Sequence, residues 1–112
     1  MNSTDELIDA VRDWGREKGI NNADKQLMKV FEETNEITRE FVRGRYDTPE
    51  VVDSLGDSVV TLIILADILG YDIRDCLLGA YEVISKRIGK NVDGNFVKSE
   101  DLDGRMETDK RI

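Results

Sequence analysis

Between Val51 and Leu69 nearly every position is apolar, the exceptions being Asp53, Ser54, Asp57, Ser58, Thr61 and Asp67. A helix built from this run is apolar on most of its circumference and has to be covered on several sides. The chain has 112 residues, enough for one domain with a modest core and too few other helices to cover such an element completely. A second subunit is therefore expected to do the rest, and closed symmetry makes a homodimer or homotetramer the default.

Two carboxylates, Asp53 and Asp57, lie four residues apart at the start of this run and share one helical face. Upstream, Phe31-Glu32-Glu33-Thr34-Asn35-Glu36-Ile37 places Glu33 and Glu36 three apart on another. Charge carried toward apolar surroundings needs compensation, and a divalent cation supplies it economically. With no histidine and a single cysteine, the donors are hard oxygens that suit Mg²⁺, or Mn²⁺, better than zinc. Mg²⁺ in turn commonly holds a phosphorylated substrate. The competing interpretation is an ordinary solvated acidic face with Lys25, Lys29, Arg39 and Arg43 as ion-pair partners.

A formal net charge of -8 argues against nucleic acid as a partner, since sequence-independent affinity for it comes from Lys and Arg on phosphates. The missing histidine excludes Ser-His-Asp and Cys-His catalysis, and no Gly-rich phosphate loop is present. The first residues show no secretory pattern, and the longest apolar stretch, Val59 to Ala66, is too short to span a bilayer. A soluble cytoplasmic protein without a membrane partner is expected, with Cys76 a buried thiol in a reducing compartment.

The spacing predicts an all-α, four-helix bundle-like protomer that oligomerises through its helices and ends in a short extended arm. Ser3-Thr4-Asp5-Glu6 reads as a capping box opening a first helix that stops at Gly19, with Leu7, Ile8, Val11 and Trp14 as its apolar stripe. Trp14 completes that stripe and is expected in the core, the alternative being stacking against a base. Asn21 or Asn22 caps a second helix running to about Arg43, with Glu33 half-buried and Glu32 pointing further out. Thr48 caps a third with Pro49 at its first position, and Gly70 ends it. Asp72 caps a fourth, Ile73 to about Ile88, striped by Leu77, Ala80, Tyr81 and Ile84 and closed by Gly89. Val92 to Val97 suits a hairpin or extended arm around Asp93-Gly94. The globular domain is expected over 1–98 and a charged, mobile tail over 99–112.

At this point the pattern resembles the MazG-like all-α nucleoside triphosphate pyrophosphohydrolases, whose signature is Glu-Glu-x-x-Glu on one helix and Glu-x-x-Asp on the next. Glu32-Glu33-Thr34-Asn35-Glu36 fits the first half. Gly56-Asp57 before an apolar run fits the end of the second, but the glutamate expected three residues earlier falls on Ser54, with Asp53 just before it. One residue of shift rotates a side chain by about 100° on a helix. Ile88-Gly89-Lys90-Asn91-Val92-Asp93-Gly94 is similar to the segment that follows the family's last helix, and the likeness extends over roughly Leu7 to Val97. It implies a helical dimer or tetramer that hydrolyses a nucleoside triphosphate to the monophosphate and pyrophosphate.

In this reading Glu33, Glu36 and Asp57 bind Mg²⁺. Glu32 and Asp53 are candidates for a further ligand or for the carboxylate that activates water. Lys29, Lys86 and Lys90 would contact the triphosphate, and Trp14 is the aromatic available for the base. Two alternatives stay open: a phosphoribosyl-ATP pyrophosphohydrolase on a similar helical plan, and a non-enzymatic acidic helical interaction module.

Overall fold

A computed structural model describes residues 3–101. The chain divides into two compact units, Met1–Cys76 and Leu77–Ile112. The first holds α1 (Thr4–Glu17), α2 (Ala23–Val42) and α3 (Pro49–Ile68), and α4 (Ile73–Ile84) begins in it. The second holds the end of α4 and a two-stranded sheet, β1 (Gly89–Val92) and β2 (Asn95–Lys98). Helix therefore dominates, as the periodicity predicts. Among the described residues no helix is long and apolar enough to cross a membrane.

The helix starts are set by their caps. Ser3 accepts from the Glu6 amide at 3.0 Å, the first half of the expected capping box, while the Glu6 carboxylate reaches back to the Ser3 hydroxyl at 3.0 Å and not to its backbone N–H. Asn22 accepts from Lys25 N at 3.0 Å and Thr48 from Val51 N at 3.3 Å, each satisfying an amide that the first helical turn leaves unpaired.

Helix α3 packs on both α1 and α2, and the buried apolar residues Val51, Ile63, Ile64 and Ala66 all belong to it. Its contact with α1 is made at Gly15, where an added Cβ would stand 3.2 Å from Ile64 Cγ1. The missing side chain thus lets the two backbones approach. The residue of α1 that is buried is this glycine, while Leu7 and Trp14 stay exposed, so the predicted stripe is not a core stripe.

The α2–α3 seam is lined by small and polar groups. Ser54, Ser58 and Thr61 are buried on α3, and their hydroxyls donate to the carbonyls of Glu50, Ser54 and Ser58, each at 2.7 Å. Satisfied within their own helix, they leave a slim face on which α2 can lie. Two buried polar residues of α2 tie the helices together. Gln26 Nε2 donates to Thr61 O at 3.1 Å, and Thr48 Oγ1 donates to the Glu40 carboxyl at 3.2 Å, with Arg43 and Arg45 each 4.0 Å from that carboxyl.

An ionic network joins α1 to the turn after α3. Arg16 grips Asp67 with two bonds, of 2.9 and 2.6 Å, and Arg12 lies 3.5 Å from Asp67 and 3.4 Å from Asp72. Arg74 reaches Asp72 at 2.9 Å and Asp9 at 2.8 Å. Hydrogen bonds from Arg74 to the Asp72 side chain hold that carboxyl down at about 2, and the Arg16 contact lowers that of Asp67.

Several expectations are corrected here. Helix α4 stops at Ile84 instead of about Ile88. Lys86 N and Arg87 N bond to carbonyls three residues back, tightening the chain into a turn, and Gly89 opens β1 instead of closing a helix. None of the α4 residues is buried, including the predicted stripe of Leu77, Ala80, Tyr81 and Ile84. Cys76 is exposed, so the buried-thiol reading fails. The hairpin forms around Asp93-Gly94 as expected, with both residues at positive φ, and pairing extends outward to Gly89 and Lys98. The predicted tail falls largely on 102–112, outside the described residues.

Replacing Arg74 by Met is expected to lower the melting temperature at pH 7. Because the Asp72 carboxyl is depressed in the folded chain, its contribution is complete above its unfolded value of about 3.9 and fades as pH falls through about 2. Melting curves from pH 7 to pH 2 should therefore show the gap between variant and parent narrowing below about pH 4. A gap that stays constant would remove Asp72 from the account.

Candidate functional site

The unit formed by residues 1–76 carries a cleft of about 660 Å³, within the range of small-molecule sites. Helix α1 contributes Trp14, and the turn that follows it contributes Ile20, Asn21 and Asn22. Helix α2 lays Lys25, Gln26, Lys29 and Glu33 along one side. Helix α3 answers with Asp57, Thr61 and Ile64.

The cleft has a direction. Gln26 is bonded to Thr61, and Ile64 lies against Gly15, the neighbour of Trp14, so the aromatic and amide groups gather near the start of α2. Glu33 lies seven residues beyond Gln26, about 10 Å along the helix, and Asp57 precedes Thr61 by one turn of α3. From Asn22 to Glu33 the wall of α2 runs about 16 Å. One end therefore carries the indole with amides and Lys25 beside it, and the other the carboxylates of Glu33 and Asp57 with Lys29.

Four of the sequence candidates come together in this cleft: Trp14, Lys29, Glu33 and Asp57. Trp14 is 49% exposed, which corrects its placement in the core and puts its ring on the cleft wall. The Glu33 side chain is 15% exposed and that of Glu32 62%, matching the predicted half-burial of one and outward direction of the other. Lys29 lies 3.4 Å from Glu32 and 3.8 Å from Glu33, and Arg43 4.0 Å from Glu40, so two of the four cations named in the solvated-face interpretation are in ion pairs.

The remaining candidates lie elsewhere. Glu36 and Glu32 line a separate shallow hollow on α2 with Phe31 and Arg39. Asp53 is exposed on α3 and is not among the cleft residues, while Ser54, at the position of the family's glutamate, is buried with its hydroxyl on Glu50 O. Lys86 and Lys90 belong to the second unit, in the turn after α4 and on β1.

Among the described residues no three Asp, Glu, Cys or His side chains stand close enough to hold a metal ion. Glu33 and Asp57 share the cleft as two carboxylates. Two carboxylates are a donor set of hard oxygens, the kind that Mg²⁺ takes together with substrate phosphates and water.

Lys25 and Gln26 were not singled out as site residues from the sequence, although their spacing carried the information. Lys25, Lys29 and Glu33 recur every four residues and Gln26 precedes Glu33 by seven, so all four fall near one face of α2. Comparison with family models, with curated proteins and with solved structures finds no match for this chain. The family likeness accordingly rests on the residues themselves.

Because Trp14 stands in a cleft wall, Trp14→Ala should cost less than about 2 kcal/mol in urea unfolding, against the 3–5 kcal/mol of a core aromatic. Acrylamide should quench its fluorescence readily. A loss of about 4 kcal/mol with a shielded indole would return Trp14 to the core.

Proposed function

We propose that this protein is a Mg²⁺-dependent nucleoside triphosphate pyrophosphohydrolase, with Mn²⁺ as a substitute ion, and that the cleft of the first unit holds the nucleotide. The observation that carries this reading is the gathering of Trp14, Lys29, Glu33 and Asp57 from three helices into one elongated cleft. An aromatic wall at one end and carboxylates with a lysine at the other match a base joined through a sugar to a metal-bound triphosphate.

In this proposal the Trp14 ring stacks on the base, and Lys29, with Lys25 one turn before it, draws the phosphate chain along α2. Glu33 and Asp57 would hold the metal, while Glu36, the third carboxylate of the family pattern, lines the separate hollow on α2 and is not brought to them. The ion supplies neutralisation of charge developing on the phosphate oxygens. Asp53 or Glu32 would orient the attacking water, although neither lines the cleft. The missing family glutamate at Ser54 makes Asp53 the residue on α3 whose role most needs testing.

The proposal includes a homodimer built on α3. Val52, Leu55, Val59, Leu62 and Leu69 are exposed at spacings of three, four, three and seven, a seam of the kind that pairs helices. A pair of dimers would give a tetramer by the same contact plus one more.

The ion pairs of Lys29 favour a second reading, a non-enzymatic acidic module whose carboxylates are already satisfied. A panel of canonical and modified ribo- and deoxyribonucleoside triphosphates, with phosphoribosyl-ATP included, separates the possibilities. The expected outcome is Mg²⁺-dependent release of pyrophosphate and not orthophosphate, with kcat/KM reduced roughly a hundredfold or more by Glu33→Gln and by Asp57→Asn at unchanged helix content. Glu36→Gln tests in the same assay the part that the family pattern gives to Glu36. Turnover confined to phosphoribosyl-ATP would select the first alternative. No turnover, and no rise in melting temperature with millimolar Mg²⁺, would leave the interaction module.

Sedimentation at micromolar concentration should give a dimer or tetramer, and Val59→Asp should dissociate it. A monomeric parent protein would remove the α3 seam from the proposal.

A further inference from the structure

Gln26 is 6% exposed and lines the cleft with only part of its amide engaged. The partner of that amide is the Thr61 carbonyl oxygen, which can only accept, so the group at 3.1 Å from it must be the nitrogen and the orientation of the side chain is fixed by chemistry. The oxygen Oε1 is left with no hydrogen-bond partner among the described residues, yet it is not sealed away from solvent. An unpaired acceptor on a side chain that lines a cleft asks for a donor from whatever enters, because leaving it unpaired against a ligand forfeits a hydrogen bond to water.

Its surroundings sharpen the demand. Thr61, the other buried polar residue of this wall, gives its hydroxyl proton to Ser58 O at 2.7 Å, and its carbonyl already receives the Gln26 nitrogen. Beside Asn21, Asn22 and Lys25 on the same cleft, Gln26 is thus the one of the two buried polar residues on this wall whose side chain keeps an acceptor without a partner. A base edge led by an exocyclic amino group, as in cytosine or adenine, complements it. A carbonyl at the same place, as in uracil or thymine, would set one lone pair against another.

We infer that Gln26 is a specificity-determining residue whose Oε1 accepts a hydrogen bond from the amino group of a base, so that the cleft selects nucleotides of amino-bearing bases over those with a carbonyl there. The inference rests on reading the cleft as a nucleotide site, and its test is a binding measurement that does not require turnover.

The chain has one tryptophan, so quenching of Trp14 fluorescence reports occupancy of this end of the cleft directly. Titration with CTP, UTP and the triphosphate of 2-pyrimidinone riboside, which lacks the 4-amino group, is expected to show CTP binding on the order of tenfold more tightly than the other two. Gln26→Met, of similar length and without the acceptor, should reduce that ratio to near one. Should Gln26→Met fail to fold by circular dichroism, the comparison of the three ligands on the parent protein decides alone. Equal affinity for the three, no quenching by any of them, or a preference for CTP that survives in a folded Gln26→Met variant overturns the inference. Selective binding without pyrophosphate release would sustain it while ending the proposed activity.

Discussion

The architecture of the first unit depends on the register of α2 against α3, and that register is held by polar contacts near the two ends of the seam. Gln26 bonds to Thr61 at one and Thr48 to Glu40 at the other. Glu33 is midway between them, seven residues from each. Oily surfaces alone specify such alignments loosely, since apolar contacts carry little directional preference. Two hydrogen bonds with fixed partners do better, and they decide that Glu33 and Asp57 open onto the same cleft. Ser54, Ser58 and Thr61 complete the arrangement by keeping that face of α3 narrow while returning their hydroxyl protons to their own helix.

The helices of this unit were legible because their boundaries are written in local chemistry. Ser3, Asn22 and Thr48 act on amides three residues away, and Gly19, Gly44 and Gly70 stand just past the helix ends, so neither signal depends on distant parts of the chain. The end of α4 was misread for the complementary reason. Periodicity favoured continuation past Ile84, while the pairing of Gly89 with Lys98 is a non-local contact that periodicity does not register.

Burial was harder to read than helicity. The stripe through Leu7 and Trp14 has helical spacing, but spacing shows only which residues share a face, not what that face meets. Gly15 decides the crossing, and a glycine has no weight in an apolar pattern. The same limit applies to the site. Glu33, Asp57 and Lys29 were found from acid and base spacing on their helices, whereas Gln26 becomes visible only when its nitrogen is seen on Thr61 and its oxygen is left over. Glu36 likewise lines another hollow and not the cleft, a difference that acid spacing on α2 does not register.

The contact between Glu40 and Thr48 has a consequence for how the chain breathes. Thr48 both caps α3 and holds the carboxyl from α2, so fraying of the last turn of one helix removes a partner from the residue that caps the next. The loop between them is thereby made part of a single opening event, a hinge that is locked or released as a whole. Local unfolding from this end would loosen both walls of the cleft together.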